Sequence, residues 1–504
     1  MSDQNLYTAL MHAINTTPDA ILLRTLDGKT VSYADAHQQS ARVANYLTGL
    51  GLQPGDRVSV QVEKSPASLW LYLGVLRAGL VYHPLNTAYA LDEMRYFLGN
   101  AEPGLLVCDP QRVADYEPLC REFKIAHLNT LDDAGQGSLS DAVAVCDDTF
   151  DTVTRTGDDL AALLYSSGTT GRPKGIMLSH QNLRANAESL VALWGFSSND
   201  VLLHVLPIYH VHGLFVAVHC ALMSGASMHW LSRLDVKAIR ALLPQSTVMM
   251  GVPTYYTRLL ADPEFGHDDC VNMRLFISGS APLLEETFND FARRTGHTIL
   301  ERYGMTETGM NTSNPLDGER RAGTVGLPIP GVEVRVRDTA NQPLADGTIG
   351  ELQVRGPNVF KGYWRMPEKT AADFTDDGWF ITGDQARIEH DGYVSIVGRS
   401  KDMVISGGLN VYPKEVEALI NDLPGVQESA VFGVPHPDFG EAVVATIVRD
   451  GSTLISEEDV LLALENKLAR FKQPKKIQFA DALPRNAMGK VQKNKLRDSW
   501  DAPF

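Results

Sequence analysis

Residues 165–175, YSSGTTGRPKG, place two serines, two threonines, three glycines, an arginine and a lysine in one run. A loop of this kind offers many backbone N–H groups, several hydroxyls and two cations, which are the parts that hold a phosphate chain. It is not the GxxxxGK[ST] nucleotide loop, because TTGRPKG follows Gly168, and no GxGxxG occurs elsewhere. Other reactive clusters follow: ERYGMTETG (301–309), TGD (382–384), GRSKD (398–402) and PRNAMGKVQKNKLR (484–497). PIYHVHGLF (207–215) adds His210 and His212. An HxH pair on a strand can ligate zinc, but no carboxylate or cysteine nearby completes such a set.

The elements around these clusters are short apolar runs alternating with helical patterns. Residues 160–164 read as a buried strand before the Ser/Thr/Gly loop, and 176–178 form a second apolar patch after it. RVSVQV (57–62), VYHPL (81–85), LLVCD (105–109), TVMMGV (247–252) and MRLFISG (273–279) repeat the theme, with a helix over 67–76. That alternation predicts an α/β fold with largely parallel sheets. From Gly331 the pattern becomes strands and turns (VEVRV, IGELQVRG, YVSIVG), which predicts a small antiparallel subdomain. A boundary falls near 398–402. Beyond it, Pro413 opens a helix, ESAVFGV and EAVVATIV read as strands, 457–468 as a helix, and a lysine-rich tail follows. These residues predict a small α+β domain.

At 504 residues, more than one domain is expected. A net charge of −16 argues against nucleic acid or an anionic membrane as partner, so anions must be met by local Lys and Arg clusters. The five cysteines are scattered without a CxxC, which predicts neither a disulfide framework nor a zinc site and fits a reducing, cytoplasmic setting. No basic residue precedes Arg24, so neither a secretory signal nor an Arg-rich transit peptide is expected. Residues 201–232 contain no Asp, Glu, Lys or Arg, yet five histidines and Pro207 interrupt them. The reading is a buried strand, loop and helix, not a membrane span.

Together and in this order, the motifs resemble the acyl-adenylate-forming superfamily of acyl-CoA synthetases, peptide-synthetase adenylation domains and luciferases. The resemblance implies a large N-terminal adenylation domain (1–400) of parallel-rich sheets with helices and a small antiparallel subdomain. A small mobile C-terminal lid (401–504) would turn on a hinge near Lys401. It also implies ATP as substrate with Mg²⁺, CoA as co-substrate, and no obligatory protein partner. Ser166, Ser167, Gly168, Thr169, Thr170, Gly171 and Lys174 would wrap the β- and γ-phosphates. Thr306 would touch the α-phosphate, and Glu307, with Thr170, would hold the metal. Tyr303 and the Gly279, Ala281 and Pro282 backbone would flank adenine. Asp384 would take the ribose hydroxyls with Arg399 beside it. Lys490 would bridge the attacking carboxylate and the α-phosphate. After rotation, Gly407 and Gly408 would let a pantetheine arm pass, and Lys472 would meet CoA phosphate.

The acid is indicated by Arg302, which stands before YGMTE where family members for aromatic and fatty acids typically carry Gly. A desolvated guanidinium there would spoil a pocket for an apolar tail but suits a second carboxylate. Malonyl-CoA synthetases share this arginine and the phrase PIYHVHGLF. The expected reaction joins malonate to CoA through malonyl-AMP, with His210, Val211, Ser278 and Met305 lining the acid site. The alternatives are another short acid (methylmalonate, propionate or acetate), or delivery to a carrier protein.

Overall fold

The computed structural model describes residues 3–166, 173–406, 409–436, 440–465, 467–468, 470, 472–486 and 489–501. Its short apolar runs build two large sheets. In the six-stranded one, His127–Thr130, Leu105–Cys108, Arg57–Gln61, Val81–Pro84 and Leu160–Ser166 run parallel, and Lys174–Ser179 returns antiparallel. In the nine-stranded one, the strands from Leu300–Met305 through Leu275–Ser278, Val248–Gly251, Val201–His204 and Ser227–Trp230 to Ile21–Thr25 are parallel. Antiparallel strands Gly309–Ser313, Leu327–Pro328 and Thr30–Ser32 complete its two edges.

Helices cover these sheets because their sequences carry start signals and apolar faces. Pro66–Arg77 begins with a Ser65 capping box and proline in its first turn. Every residue from Ser68 to Arg77 is buried, so this helix lies inside the layers rather than on a surface. The uncharged stretch 201–232 folds as read: strand Val201–His204, a loop, a π-helical segment His212–Val218, helix His219–Ser224 and strand Ser227–Trp230. The π-helical form was not legible in the sequence; such turns often sit at functional sites. No helix among the described residues is long and apolar enough to cross a membrane.

The strands Glu333–Arg337, Gly350–Arg355, Phe380–Ile388 and Val394–Arg399 form the antiparallel sheet. A 3₁₀ turn, Ser400–Asp402, then leads into a smaller unit, about the last fifth of the chain, with its own core, built on the antiparallel pair Val426–His436 and Gly440–Arg449. Helix Glu457–Glu465 is shorter than the expected 457–468; beyond it Lys467 N donates to the Leu464 carbonyl, the i→i−3 bond of a turn.

Most parallel strands of both sheets end towards one cavity. It is lined by residues 84–87 after Val81–Pro84, 205–213 after Val201–His204, Val252 after Val248–Gly251, and Ser280 after Leu275–Ser278. Carboxyl ends of parallel strands are where α/β sheets place ligands, since loops there are free to vary over a fixed frame.

Candidate active site

The cavity measures about 1060 Å³. The structure brings to its walls Ser166, Lys174, His210, Val211, Arg302, Met305, Thr306, Glu307, Arg399, Lys401 and Lys490. Ser278, Gly279, Ala281, Pro282, Tyr303 and Asp384 lie around this wall without lining it. Ser167, Gly168, Thr169, Thr170, Gly171, Gly407 and Gly408 fall outside the described residues. Lys472 lies in the small unit, where its ammonium donates to both carboxylate oxygens of Glu415 (2.7 and 2.8 Å).

Arg302 points from strand Leu300–Met305 and is 3% exposed. A Cβ built on Gly279 would lie 2.4 Å from Arg302 Cζ, so only a bare backbone lets the guanidinium occupy this place. Burial pushes its pKa down to about 10, which leaves it cationic at neutral pH. Its Nε and Nη2 have no hydrogen-bond partner, nor do Ser278 Oγ, His210 Nε2 and His212 Nε2. Buried polar atoms are nearly always paired, so a cluster of unpaired ones marks the place of a polar ligand. Both histidines are neutral. Burial, with Lys490 nearby, lowers His210 to about 4. Burial and Arg302 depress His212, whose Nδ1 lies 3.3 Å from Ser280 Oγ.

Asp384 organises the part of the site expected to face the nucleotide. Tyr303 donates its hydroxyl to Asp384 Oδ2 (2.5 Å), and Arg399 Nε lies 2.7 Å from Oδ1. This pair spans two sheets: Tyr303 comes from a strand of the large mixed one, while Asp384 and Arg399 are register partners in the antiparallel one. Each carboxylate oxygen retains a lone pair for a further donor. Glu307 is buried; desolvation raises its pKa, against the pull of Arg399 and Lys174. Lys174 lies 4.3 Å from the Tyr363 ring centre and 4.0 Å from Asp373.

Lys490 enters from the small unit on a turn in which its N–H donates to Asn486 Oδ1 (3.0 Å). It is an exposed residue, and it lines the cavity. Removal of water by those walls, then Arg399, lowers the proton affinity of its amine, while Asp384 and Glu307 oppose this. A cation so placed favours any anion that enters.

Glu307 fits a Mg²⁺ ion: it is a hard oxygen donor beside the cationic wall that would meet phosphates. No group of three or more His, Cys, Asp or Glu that could hold a metal occurs among the described residues. The ion would therefore share its coordination with nucleotide oxygens and water, as Mg²⁺ commonly does.

Sequence reasoning missed Lys64, which lines the cavity yet stands outside the stretches dense in reactive types, and it gave no role to Ser280, Glu301 and Asn486 inside those stretches. A lone lysine in the apolar stretch before helix Pro66–Arg77 was the available signal for Lys64.

Residues 10–364 match the AMP-binding enzyme family, and 415–490 match the AMP-binding enzyme C-terminal domain. The crystal structure of ATP-bound MatB from Rhodopseudomonas palustris is 53% identical and superposes with a TM-score of 0.97 over 99% of both chains. The apo form of that protein, with the same identity and coverage, gives 0.86. The whole-molecule arrangement here is thus more similar to the ATP-bound form. A malonate–CoA ligase of Arabidopsis thaliana is 33% identical over 98% of this chain and 88% of its own. A feruloyl-CoA synthase of an Amycolatopsis species is 33% identical over 99% of both. With both family matches in chain order and a cavity at which an anion-seeking arginine meets Glu307 and Lys490, the chain belongs to the AMP-binding, acyl-adenylate-forming enzymes.

Proposed function

We propose that this enzyme ligates malonate to CoA in two steps, with division of the chain at 400/401 and Lys401 as hinge. In the first, one carboxylate oxygen of malonate attacks the α-phosphorus of ATP; the new O–P bond forms as the bond to the pyrophosphate oxygen breaks. Lys490 and Thr306 would stabilise the charge that moves through the α-phosphate, and Lys174 would hold the departing pyrophosphate. Mg²⁺ held by Glu307 supplies neutralisation of phosphate charge when bound with the nucleotide. In the second, the CoA thiolate attacks the malonyl carbonyl and AMP leaves. Asp384 and Arg399 would retain the ribose through both steps. The free thiols of all five cysteines agree with a reducing cytoplasm, where this proposal sets the reaction.

The observation that carries the choice of acid is the unpaired edge of Arg302. Nε and Nη2 are adjacent donors on one side of the guanidinium plane, spaced to meet the two oxygens of a carboxylate. They are closed from solvent in this conformation, so binding calls for a small shift of the side chains over them. Val211 and Met305 would then pack near the methylene carbon.

Arg302→Gly tests the reading. Losing the only partner of a buried anion costs about 3–5 kcal/mol, so kcat/KM for malonate should fall by roughly two to four orders of magnitude at saturating ATP. Propionate should lose little. An equal fall for malonate and propionate would make Arg302 structural and remove the support for a dicarboxylate.

A further inference from the structure

Lys64 lies between the Arg57–Gln61 strand and helix Pro66–Arg77, 5% exposed, and among the described residues no carboxylate pairs with it. A buried lone ammonium is costly, and a methionine of similar length would fill the same space without that cost. The contacts of Lys64 explain why a lysine is there. Its Nζ donates to His204 Nδ1 (2.7 Å), to the His204 carbonyl (2.9 Å) and to the Leu231 carbonyl (2.6 Å). The same atom sits 4.3 Å from the centre of the Trp230 ring, on which the His204 imidazole stacks.

Burial alone would drive this amine towards its neutral form. Three acceptors ask for three hydrogens, however, and only the ammonium carries three. The third acceptor is fixed by the far side of the ring: His204 Nε2 lies 2.9 Å from the Gly213 carbonyl, so Nε2 bears the hydrogen and Nδ1 the lone pair. The order of donation is therefore Lys64 to His204 to the carbonyl of Gly213.

Gly213 is the second residue of the π-helical segment His212–Val218, and this segment and the loop leading into it carry His210, Val211 and His212 along the cavity wall. The loop is folded tightly on itself there, since a Cβ on Gly213 would come 1.9 Å from the Pro207 carbonyl oxygen. Lys64 follows a strand of the six-stranded sheet, while His204 ends one strand of the nine-stranded sheet and Leu231 follows another. One ammonium thus ties the carboxyl ends of both sheets directly beneath this loop.

We propose that Lys64 is a positioning residue for the acid-binding wall: acting through His204, it fixes the loop that presents His210 and His212 to the substrate acid. The inference rests on reading that loop as part of the acid site. Without the ammonium, His204 is free to take the other tautomer, which leaves the Gly213 carbonyl without its donor.

The test is steady-state pyrophosphate release by the full chain, with KM measured separately for ATP and for whichever acid of a panel reacts best. Lys64→Met and His204→Phe should each raise the acid KM about ten- to hundred-fold, the effect of losing one or two buried hydrogen bonds. The ATP KM should stay within about two-fold. The double variant should be no worse than the worse single one, because both act through one chain of bonds. A double variant whose loss equals the product of the two, or an ATP KM that rises with the acid KM, overturns the proposal. If Lys64→Met fails to fold, His204→Phe decides alone: a rise confined to the acid KM supports it, and an unchanged acid KM sinks it. Because the readout uses the best acid, a wrong choice of malonate would show in the panel and leave this test intact.

Discussion

At the residue scale, the site is a set of charges made tolerable by what the substrates would bring. Arg302 occupies space that Gly279 leaves empty, which gives that glycine a role besides the adenine contact expected from the motif. Gly279→Ala should crowd the guanidinium out of its slot, because a buried arginine has nowhere to move. The acid KM should rise at least about ten-fold while the ATP KM changes little; an equal rise in both would assign Gly279 to the nucleotide alone. Arg302 itself was legible in the sequence, since an arginine before YGMTE is out of place beside an apolar tail. Lys64 was not, because its partners are two backbone carbonyls and a histidine distant in the chain, and no local pattern announces a tertiary hydrogen bond.

At the scale of elements, the proposed hinge would assign Lys401 and Lys490 to different steps. Lys401 sits in the 3₁₀ turn Ser400–Asp402 that separates two sheets, and Lys490 reaches the cavity from a turn near the end of the small unit. Lys490→Ala should abolish most adenylate formation yet leave thiol capture of a supplied acyl-AMP largely intact. Lys401→Pro, which locks one soft torsion, should do the reverse. Half-reaction rates measured separately check the pair, and equal loss of both half-reactions in either variant would contradict the hinge. Sheet class was readable because apolar runs of four to seven residues recur between helices, whereas the strand order within each sheet was not. Nor was the end of helix Glu457–Glu465, since Leu468 beyond it keeps the helical spacing while the backbone at Lys467 is already in a turn. The π-helical segment His212–Val218 escaped for a similar reason: its residues would suit an α-helix equally well.

At the scale of the whole molecule, the fold stores neutral histidines. Burial, as the leading cause, lowers His83 and His219 to about 3, and His180 and His210 to about 4. The unfolded chain would hold these groups near 6.5, so it binds more protons than the fold as pH falls below that value. Stability is therefore full above pH 6.5 and is lost towards pH 4. Glu301 acts in the opposite sense: burial raises its carboxyl to about 7, so the fold keeps one proton that the unfolded chain releases above about 4.5. These histidines outnumber Glu301, and burial depresses His204 and His212 in the same sense, so on balance stability falls as pH drops below about 6.5. Denaturant midpoints at pH 7.5 and 5.5 should differ accordingly, and Glu301→Gln should steepen the fall; a flat profile would mean that these rings can be solvated without unfolding. The position of Lys490 in the chain has a last consequence, for the order of biosynthesis. Domains emerge from the ribosome N-terminal first, so on the proposed assignment the walls that would hold the nucleotide, up to Arg399, would form well before the lysine that would complete them. A half-made enzyme would hold its nucleotide without turning it over, and no reactive adenylate would escape from an unfinished polypeptide.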